Sequence, residues 1–153
     1  MQITLIKRMM DSFYLAKRIR DMLPQLPDGI VSSHIQYLDV IQQLEQQGVP
    51  VKISDISDAL ALPRPGVTRT VKDMVQKGLL EKLASPEDGR VTYLSITEPG
   101  RQLSEKYNTQ FFSTLSSYLD DISEEDAQCT IRTIEKFYNV MSKRRDSFEK
   151  CEK

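Results

Sequence analysis

The spacing of apolar and polar positions between residues 62 and 96 changes from a helical period to an alternating one. The apolar residues of the first part recur at i, i+4, i+7 and i+8: Val67, Val71, Met74 and Val75. This spacing predicts a helix with one apolar stripe. The opposite face carries Pro65, Thr68, Arg69, Lys72 and Gln76. We therefore expect a helix that buries its valines and presents a basic, hydroxyl-bearing face to water.

The ends of this helix are also marked in the sequence. Pro65 suits the first helical position, because its missing N–H would be unpaired there and its fixed φ is already helical. Gly78 stands where the residue after a helix takes a positive φ, and Lys77 suits the negative end of the helix dipole. The helix is thus expected to lie between Pro65 and Gly78.

A β-hairpin is predicted directly after this helix. Residues 80–84 and 91–96 are β-prone runs, and polar and apolar positions alternate in the second. The connection 85–90 is rich in turn-forming residues and carries Asp88-Gly89 near its end. A helix followed by a two-stranded ribbon, with Arg90 near the tip, predicts a winged-helix arrangement.

The segment before the helix completes a helix-turn-helix. Ser54 is expected to cap a short helix that runs to about Ala61. Leu62-Pro63-Arg64 is then the turn, because a proline disfavours helical geometry in the residue before it, here Leu62 and Arg64. Two short helices joined by about three residues fit the helix-turn-helix motif.

Two helices and an extended segment are predicted before this motif. Apolar spacing predicts a first helix over about residues 3–22, and Pro24, Pro27 and Gly29 follow it. Ser32 or Ser33 is expected to cap the second helix, which stops at Gly48. Residues 49–53 are expected to be extended and to form an edge of the wing sheet.

Two more helices are predicted after the wing. Thr97 is expected to cap a long helix with Pro99 in its first turn, and apolar positions continue to Ile122. Ser123 is expected to cap the last helix, with Asp126 at its third position. The charged tail, residues 146–153, is expected to fray.

Composition excludes several classes of protein. The 153 residues include 39% apolar and 28% charged residues, which is typical of an ordinary globular protein with an adequate core. No apolar run approaches the ~20 residues that cross a membrane, and no signal-peptide core is present, so a cytoplasmic protein is expected. The net charge of −1 does not indicate a nucleic-acid partner, but residues 64–82 carry five basic and two acidic residues, a local charge of +3.

Cysteine and histidine give no sign of a metal or catalytic site. Cys129 and Cys151 have neither a disulfide-framework nor a metal-ligand spacing, and Cys129 is expected to be a packed small residue of the last helix. The lone His34 is expected to be exposed or to cap a helix. With no nucleophile–base constellation, phosphate loop or metal cluster, neither an enzyme nor a cofactor is expected.

Several short motifs in this order resemble the MarR family of bacterial transcriptional regulators. They are ISDISDALALPRPGVTRTVKDMVQKGLL, Asp88-Gly89-Arg90 in the wing, and LSITEPGRQL after it. The resemblance implies a mainly α fold with a small β-hairpin wing (α+β), forming a single domain over residues 1–153. Its winged helix-turn-helix lobe would span about residues 32–98, between dimerisation helices at about 1–24 and 99–145.

The resemblance also implies a dimeric repressor that binds double-stranded DNA. Thr68 and Arg69 are the expected base contacts in the major groove, near the helix N-terminal end formed by Arg64, Pro65 and Gly66. Phosphate contacts position the protein on DNA but do not read its base sequence, and the residues expected to make them are Ser54, Thr70, Lys72 and Lys77. In the wing, Arg90 would enter the minor groove, and Asp88 would orient it or pair with a neighbouring arginine. Relatives often bind small aromatic or phenolic effectors, for which the expected lining residues are Phe13, Tyr14, Tyr37 and Phe112.

Alternatives stay open from the residues alone. Thr70 can bond only to a carbonyl of its own helix, Lys77 can serve the helix dipole, and Asp88-Gly89 can be simply the turn. The terminal helices suit a single-subunit core as well as a dimer. Pro65 differs from the Ser or Thr more usual in the family, and with the near-neutral total charge this allows a winged-helix module that binds protein instead of DNA. A ligand or thiol sensor is the remaining alternative.

Overall fold

The computed structural model describes residues 1–86, 88 and 90–149, with side chains described as far as residue 144. The predictions for Gly89, for Cys151 and for the end of the tail lie outside these residues. The helices and strands follow in this order: α1 Ile3–Asp21, α2 Ser32–Gln46, α3 Ile53–Leu60, α4 Arg64–Gln76, β1 Leu80–Ala84, β2 Thr92–Ile96, α5 Glu98–Ser104, a π-helical segment Glu105–Gln110, α6 Phe111–Ser116 and α7 Glu124–Glu149. A mainly helical chain with one hairpin confirms the predicted fold class.

The chain divides into two compact units. The first is Met1–Gln110, and the second begins at Phe111. The boundary therefore falls where the π-helical segment ends, and the prediction of a single domain over the whole chain stays a prediction.

The hydrophobic core of the first unit lies between α2, α3, α4 and the hairpin. The apolar stripe predicted for α4 is buried: Val67, Val71 and Met74 are each at most 1% exposed. These side chains belong to one cluster with others from α2, α3 and the hairpin: Leu38, Ile41, Ile56, Leu80, Leu94 and Ile96. Burying this much apolar area is the main stabilising contribution to the lobe.

The hairpin and its neighbour form the expected wing sheet. β1 and β2 pair antiparallel with Leu80 opposite Ile96 and Ala84 opposite Thr92. Val51 adds one bridge at the edge, where its carbonyl accepts the N–H of Leu94 at 2.8 Å. Of the predicted extended segment 49–53, Val51 forms the expected edge of the sheet, whereas Ile53 is already the first residue of α3.

The predicted N-terminal caps of α2 and α3 are wrong. α3 begins at Ile53, with Lys52 as N-cap, and the Asp55 carboxylate accepts the Lys52 N–H at 2.7 Å. Ser54 is therefore inside the helix, because the pairing of Val51 fixes where the extended segment ends. α2 is capped at Val31, and a histidine three residues later takes the place of the predicted serine cap.

The turn between α3 and α4 has the predicted three residues but lies one position earlier, at residues 61–63. Ala61 takes a left-handed φ of +51°, and the buried Ser57 hydroxyl donates to the Leu62 carbonyl at 2.6 Å. Pro63 is the N-cap of α4, so Arg64 is the first helical residue and Pro65 the second. The prediction that Arg64 leaves helical geometry is wrong, because every N–H in the first turn of a helix lacks an intrahelical partner and a proline is tolerated there.

The caps predicted after the wing are confirmed. The Thr97 hydroxyl accepts the Gly100 N–H at 3.2 Å, and Ser123 accepts the Asp126 N–H at 3.0 Å. The helix that Thr97 caps is shorter than its apolar spacing predicted, because α5 ends at Ser104 and a π-helical segment follows it. Among the described residues, no helix is both long enough and apolar enough to cross a membrane.

Candidate nucleic-acid interface

Helix α4 has one face fixed in the core and one face in water. Its buried stripe leaves it no freedom to turn about its axis without exposing apolar area. The residues predicted to approach bases are all exposed: Arg64, Pro65, Gly66, Thr68 and Arg69. The interior of the lobe thus determines which side chains α4 presents.

The cationic groups on this face have no partner within the described part of the chain. Arg64, Arg69 and Lys72 form no side-chain hydrogen bond or ion pair with any residue that the structure describes. Unpaired exposed cations contribute little to folding, and they are available to phosphates or to base edges.

The two threonines of α4 bond within their own helix. Thr68 donates to the Arg64 carbonyl at 2.8 Å, and Thr70 donates to the Gly66 carbonyl at 3.2 Å. For Thr70, which is half-buried, this confirms the alternative of a bond to its own helix. The exposed Thr68 keeps its methyl group and a hydroxyl lone pair available.

Lys77 lies beside the loop before α2, although it was predicted to contact phosphate. Its ammonium pairs with Asp73 at 2.7 Å, and its Cε lies 3.7 Å from the position a Cβ would take on Gly29. Asp73 also lies 2.9 Å from Nε2 of the buried His34. Lys77 therefore has a partner in the lobe, and the hydrogen bond from Lys77 is the largest influence lowering the pKa of Asp73.

The wing tip is closed by hydrogen bonds around Asp88. Its carboxylate accepts the Arg90 backbone N–H at 2.9 Å, and its carbonyl accepts the Val91 N–H at 2.9 Å. Its own N–H is donated to the Ser85 hydroxyl at 3.3 Å. Asp88 thus holds the backbone that carries the exposed Arg90, and no pairing of Asp88 with an arginine side chain occurs among the described residues.

The base of the wing is connected to α2 and α5 by one carboxylate. Glu45 accepts the Ile96 N–H at 3.1 Å and the Ser95 hydroxyl at 3.2 Å through one oxygen. Its other oxygen accepts from Arg101 at 3.1 Å. This carboxylate therefore fixes where the wing leaves the lobe.

The residues predicted to line an effector site have different environments. Tyr37 is 3% exposed and packs in the core of the lobe, so its ring is a core side chain. Phe13 is half-buried, whereas Tyr14 and Phe112 are exposed. A cavity of about 410 Å³ is lined by polar and charged groups, which does not suit an aromatic ligand: Gln42, Glu98, Arg101, Gln102, Glu105 and Gln110.

Neither cysteine nor histidine forms a metal site among the described residues. No group of three or more metal-ligating side chains occurs there. Cys129 is exposed, so the prediction that it packs as a small core residue is wrong. His34 is 3% exposed, so the predicted exposure is wrong, but its Nδ1 accepts the Val31 N–H and the capping role is confirmed.

Comparison with known proteins identifies the lobe. Residues 29–91, which include α2, α3, α4, β1 and part of the wing, match the model of the MarR family. Over this lobe the chain matches the MarR family.

The proteins similar to this chain include two regulators from Bacillus subtilis. The HTH-type transcriptional regulator YdgJ is 23% identical over 72% of this chain, and the organic hydroperoxide resistance transcriptional regulator is 33% identical over 61%. The aligned segment spans 65% of the length of each. The crystal structure of Streptococcus pneumoniae FabT in complex with DNA has the same fold, with a TM-score of 0.66, 19% identity, and coverage of 93% of this chain and 99% of the other.

The sequence did not reveal the tertiary bonds by which two polar residues, Glu45 and His34, hold this lobe together. Glu45 bonds to residues 50, 51 and 56 positions away, and His34 bonds to Asp73 on another helix. Amphipathic spacing gives no signal for such bonds, because it reports which face is buried and not which polar groups meet. A lone histidine on the buried side of a predicted helix was the one available sign.

Proposed function

We propose that this protein is a MarR-type regulator, a dimeric, sequence-specific DNA-binding repressor of transcription. The observation that carries the proposal is the exposed face of α4, where Arg64, Arg69 and Lys72 lack partners among the described residues while the opposite face is fixed in the core. A rigid helix with free cations on its outer face suits the major groove, which admits one α-helix.

Base recognition is assigned to the N-terminal half of α4. Arg69 can bond bidentately to guanine, and the Thr68 methyl can contact thymine. Lys72 is placed to meet phosphate, which fixes the register of the helix without reading sequence. Arg90 is proposed to contact the minor groove, with its backbone held by Asp88.

A second copy of the chain is proposed to cover the terminal helices. α1 buries none of its residues, and α7 buries none of its described side chains. Large apolar side chains exposed on these two helices include Ile3, Leu5, Tyr14, Leu15, Ile19, Ile131, Ile134, Tyr138 and Met141. Apolar surface of this extent marks an interaction site. Two-fold symmetry would then place two copies of α4 about 10 bp apart on a pseudo-palindromic operator.

Release by a small aromatic or phenolic effector is a further part of the proposal. Each unit offers aromatic side chains to such a ligand: the first has Phe13 and the exposed Tyr14, and the second has the exposed Phe112. The site of action would be the cytoplasm, with the protein bound to the nucleoid when it occupies its operator.

The test is fluorescence anisotropy of the full chain on the DNA upstream of its own gene. Titrations at several salt concentrations, with random duplex as competitor, separate specific from phosphate-driven binding. We expect competitor-resistant binding by two subunits per site, with an affinity that falls steeply as salt rises. Binding that random DNA removes, or no binding, would contradict the proposal and favour a winged-helix module that binds protein.

A further inference from the structure

A lysine at the start of the helix-turn-helix lies against the wing and has no role in the DNA contacts proposed above. Lys52 is the N-cap of α3, and its ammonium lies 5.7 Å from the centre of the Tyr93 ring on β2. A cation at this distance from an aromatic face is attracted by the negative charge above the ring. The two side chains therefore form a contact between the first helix of the helix-turn-helix and the wing.

The edge of the wing sheet brings these two residues together. Val51 and Leu94 form an antiparallel bridge, which puts Lys52 beside Tyr93. Because side chains alternate along a strand, both lie on the face of the sheet opposite to the buried Val51 and Leu94. Leu83, which pairs with Tyr93 on the next strand, is 46% exposed. This face of the wing is therefore open to water.

The polar groups of the pair have donors to spare. Among the described residues, the exposed Lys52 ammonium forms no hydrogen bond or ion pair, and the Tyr93 hydroxyl forms no hydrogen bond. The nearby Asp55 carboxylate accepts the backbone N–H of Lys52 at 2.7 Å and does not pair with its ammonium. An ammonium and a phenol hydroxyl on one open face suit an anionic oxygen ligand.

The charges around α3 indicate why a cation is needed at this place. In a helix-turn-helix bound to DNA, the first helix crosses the phosphate backbone. Residues 49–63, which include α3, carry two carboxylates, Asp55 and Asp58, and Lys52 is their only cation. Without Lys52 this segment would present only negative charge to the phosphates, and like charges repel.

We propose that Lys52 and Tyr93 form a binding site for the DNA backbone, in which the ammonium pairs with a phosphate and the phenol hydroxyl donates to a phosphate oxygen. The inference rests on the proposed DNA-binding function and adds a contact that reads no base sequence. The Tyr93 ring holds the ammonium at the edge of the wing. Lys77, which was predicted to contact phosphate, has its ammonium paired with Asp73 instead.

The salt dependence of binding tests the role of Lys52. Affinity is measured by fluorescence anisotropy at several salt concentrations, on operator and on random duplexes. Each phosphate neutralised by a cation contributes about 0.9 to the slope of log affinity against log salt, so Lys52→Gln should lower the slope of a dimer by about 1.8. The affinity should fall by the same factor on both duplexes, by up to about 60-fold at about 0.1 M salt. Lys52→Arg keeps the charge and should keep the wild-type slope.

Lys106 provides a matched control. Its exposed ammonium lies 5.3 Å from the centre of the Tyr107 ring, but it belongs to the π-helical segment, outside the helix-turn-helix and the wing. Lys106→Gln therefore removes the same charge and the same kind of ring contact, and it should keep the wild-type slope. Equal slopes for Lys52→Gln and Lys106→Gln would overturn the proposal.

The role of the Tyr93 hydroxyl is tested separately. Tyr93→Phe keeps the ring beside the ammonium and removes only the hydroxyl. Because an uncharged donor releases no counterion, the slope should stay unchanged. The affinity should fall by about threefold to tenfold on both duplexes, as expected for one lost hydrogen bond. Wild-type affinity for Tyr93→Phe would remove the hydroxyl from the site.

Two further measurements separate this site from folding and from the proposed function. Thermal melting checks that every variant is folded, and a lower slope for Lys52→Gln that Lys52→Arg restores cannot come from a loss of stability. A wild-type chain that binds no specific DNA would refute the proposed function, and the phosphate site with it. Specific binding by wild type with an unchanged slope in Lys52→Gln would refute the phosphate site alone.

Discussion

Replacing Glu45 of α2 by alanine should destabilise the lobe more than the same replacement of any carboxylate on the wing. One Glu45 oxygen accepts the Ile96 N–H and the Ser95 hydroxyl, and the other accepts from Arg101. The substitution removes all three bonds at once. It leaves the Ile96 N–H, on a residue that is only 3% exposed, without its acceptor.

The magnitude follows from how exposed each partner is. An unsatisfied N–H that is largely shielded from water costs about 1–3 kcal/mol. The Arg101 side chain is 48% exposed, so its ion pair contributes about 1 kcal/mol at most. We expect a loss of about 2–3 kcal/mol for Glu45→Ala. Glu45→Gln should lose about 1 kcal/mol, because its amide oxygen can still accept the Ile96 N–H.

Urea unfolding followed by circular dichroism measures this loss. The midpoint should move to lower urea concentration while the slope stays unchanged, since the unfolded surface is the same. Glu81→Ala is the matched control, because Glu81 is an exposed glutamate of the same hairpin whose side chain has no hydrogen bond or ion pair within the described residues. Surface changes of this kind usually cost less than about 0.5 kcal/mol. Equal losses for the two alanine variants would refute the reasoning.

Three further predictions concern the interface, the packing and the pH dependence of the lobe. Arg90→Ala should weaken binding to all DNA and flatten the salt dependence of the affinity, while Arg69→Ala should also relax base preference at one position per half-site, by about 1–3 kcal/mol. Fluorescence anisotropy on operator and random duplexes distinguishes the two variants. If each variant lost equal affinity for operator and random DNA, Arg69 would not take part in base readout. Gly100→Ala should destabilise by about 1–3 kcal/mol in thermal melting, because a Cβ there would overlap the Leu79 carbonyl and lie 2.8 Å from a neighbouring isoleucine methyl; an unchanged melting temperature would contradict it. The free energy of unfolding should be largest above about pH 6.5 and decline as the pH falls below it, because the folded state lowers the pKa of His34, and the decline should be shallower in His34→Gln.

Local features of the fold were predictable because the residues that determine each of them lie within one or two helical turns of one another in the sequence. The buried stripe of α4 follows from the spacing of Val67, Val71 and Met74, and each is buried as expected. Gly78 has a φ of +70°, as its place after the helix predicted. The Thr97 and Ser123 caps are also local, since each bonds to a backbone N–H three residues away.

The error at the start of α3 has a physical origin in a contact with a distant strand. A serine before an apolar run is a cap only if the chain leaves the extended conformation at that residue. At α3 the pairing of Val51 with Leu94 ends the extended segment earlier, so Lys52 occupies the N-cap and Ser54 lies inside the helix. The preference of Ser54 for an N-cap position competes here with the pairing of Val51 and Leu94, and the pairing determines where the helix begins.

The polar links of the lobe could not be predicted from spacing. Glu45 lies on a helix whose own sequence offers it no partner, and its three bonds reach residues beyond the helix-turn-helix. His34 was interpreted as an exposed or capping residue, and only the packing of α4 against α2 brings Asp73 to its second nitrogen. The candidate interface therefore has two parts. The outer face of α4 can be predicted from the sequence, whereas the supports behind it, Glu45 and His34, depend on tertiary contacts.

These two parts predict different consequences for substitutions. The outer cations, Arg64, Arg69 and Lys72, have no partner among the described residues, so changing them should alter DNA affinity and leave stability almost unchanged. Glu45 and His34 do not face outward with these cations. Glu45 bonds to the wing and His34 to α4, so changing either residue should alter both the free energy of unfolding and the DNA affinity. Substitutions on the outer face of α4 can therefore change which DNA sequence is preferred without lowering the free energy of unfolding. A substitution that lowers affinity at unchanged stability identifies a residue of the outer face, and one that lowers both identifies a support.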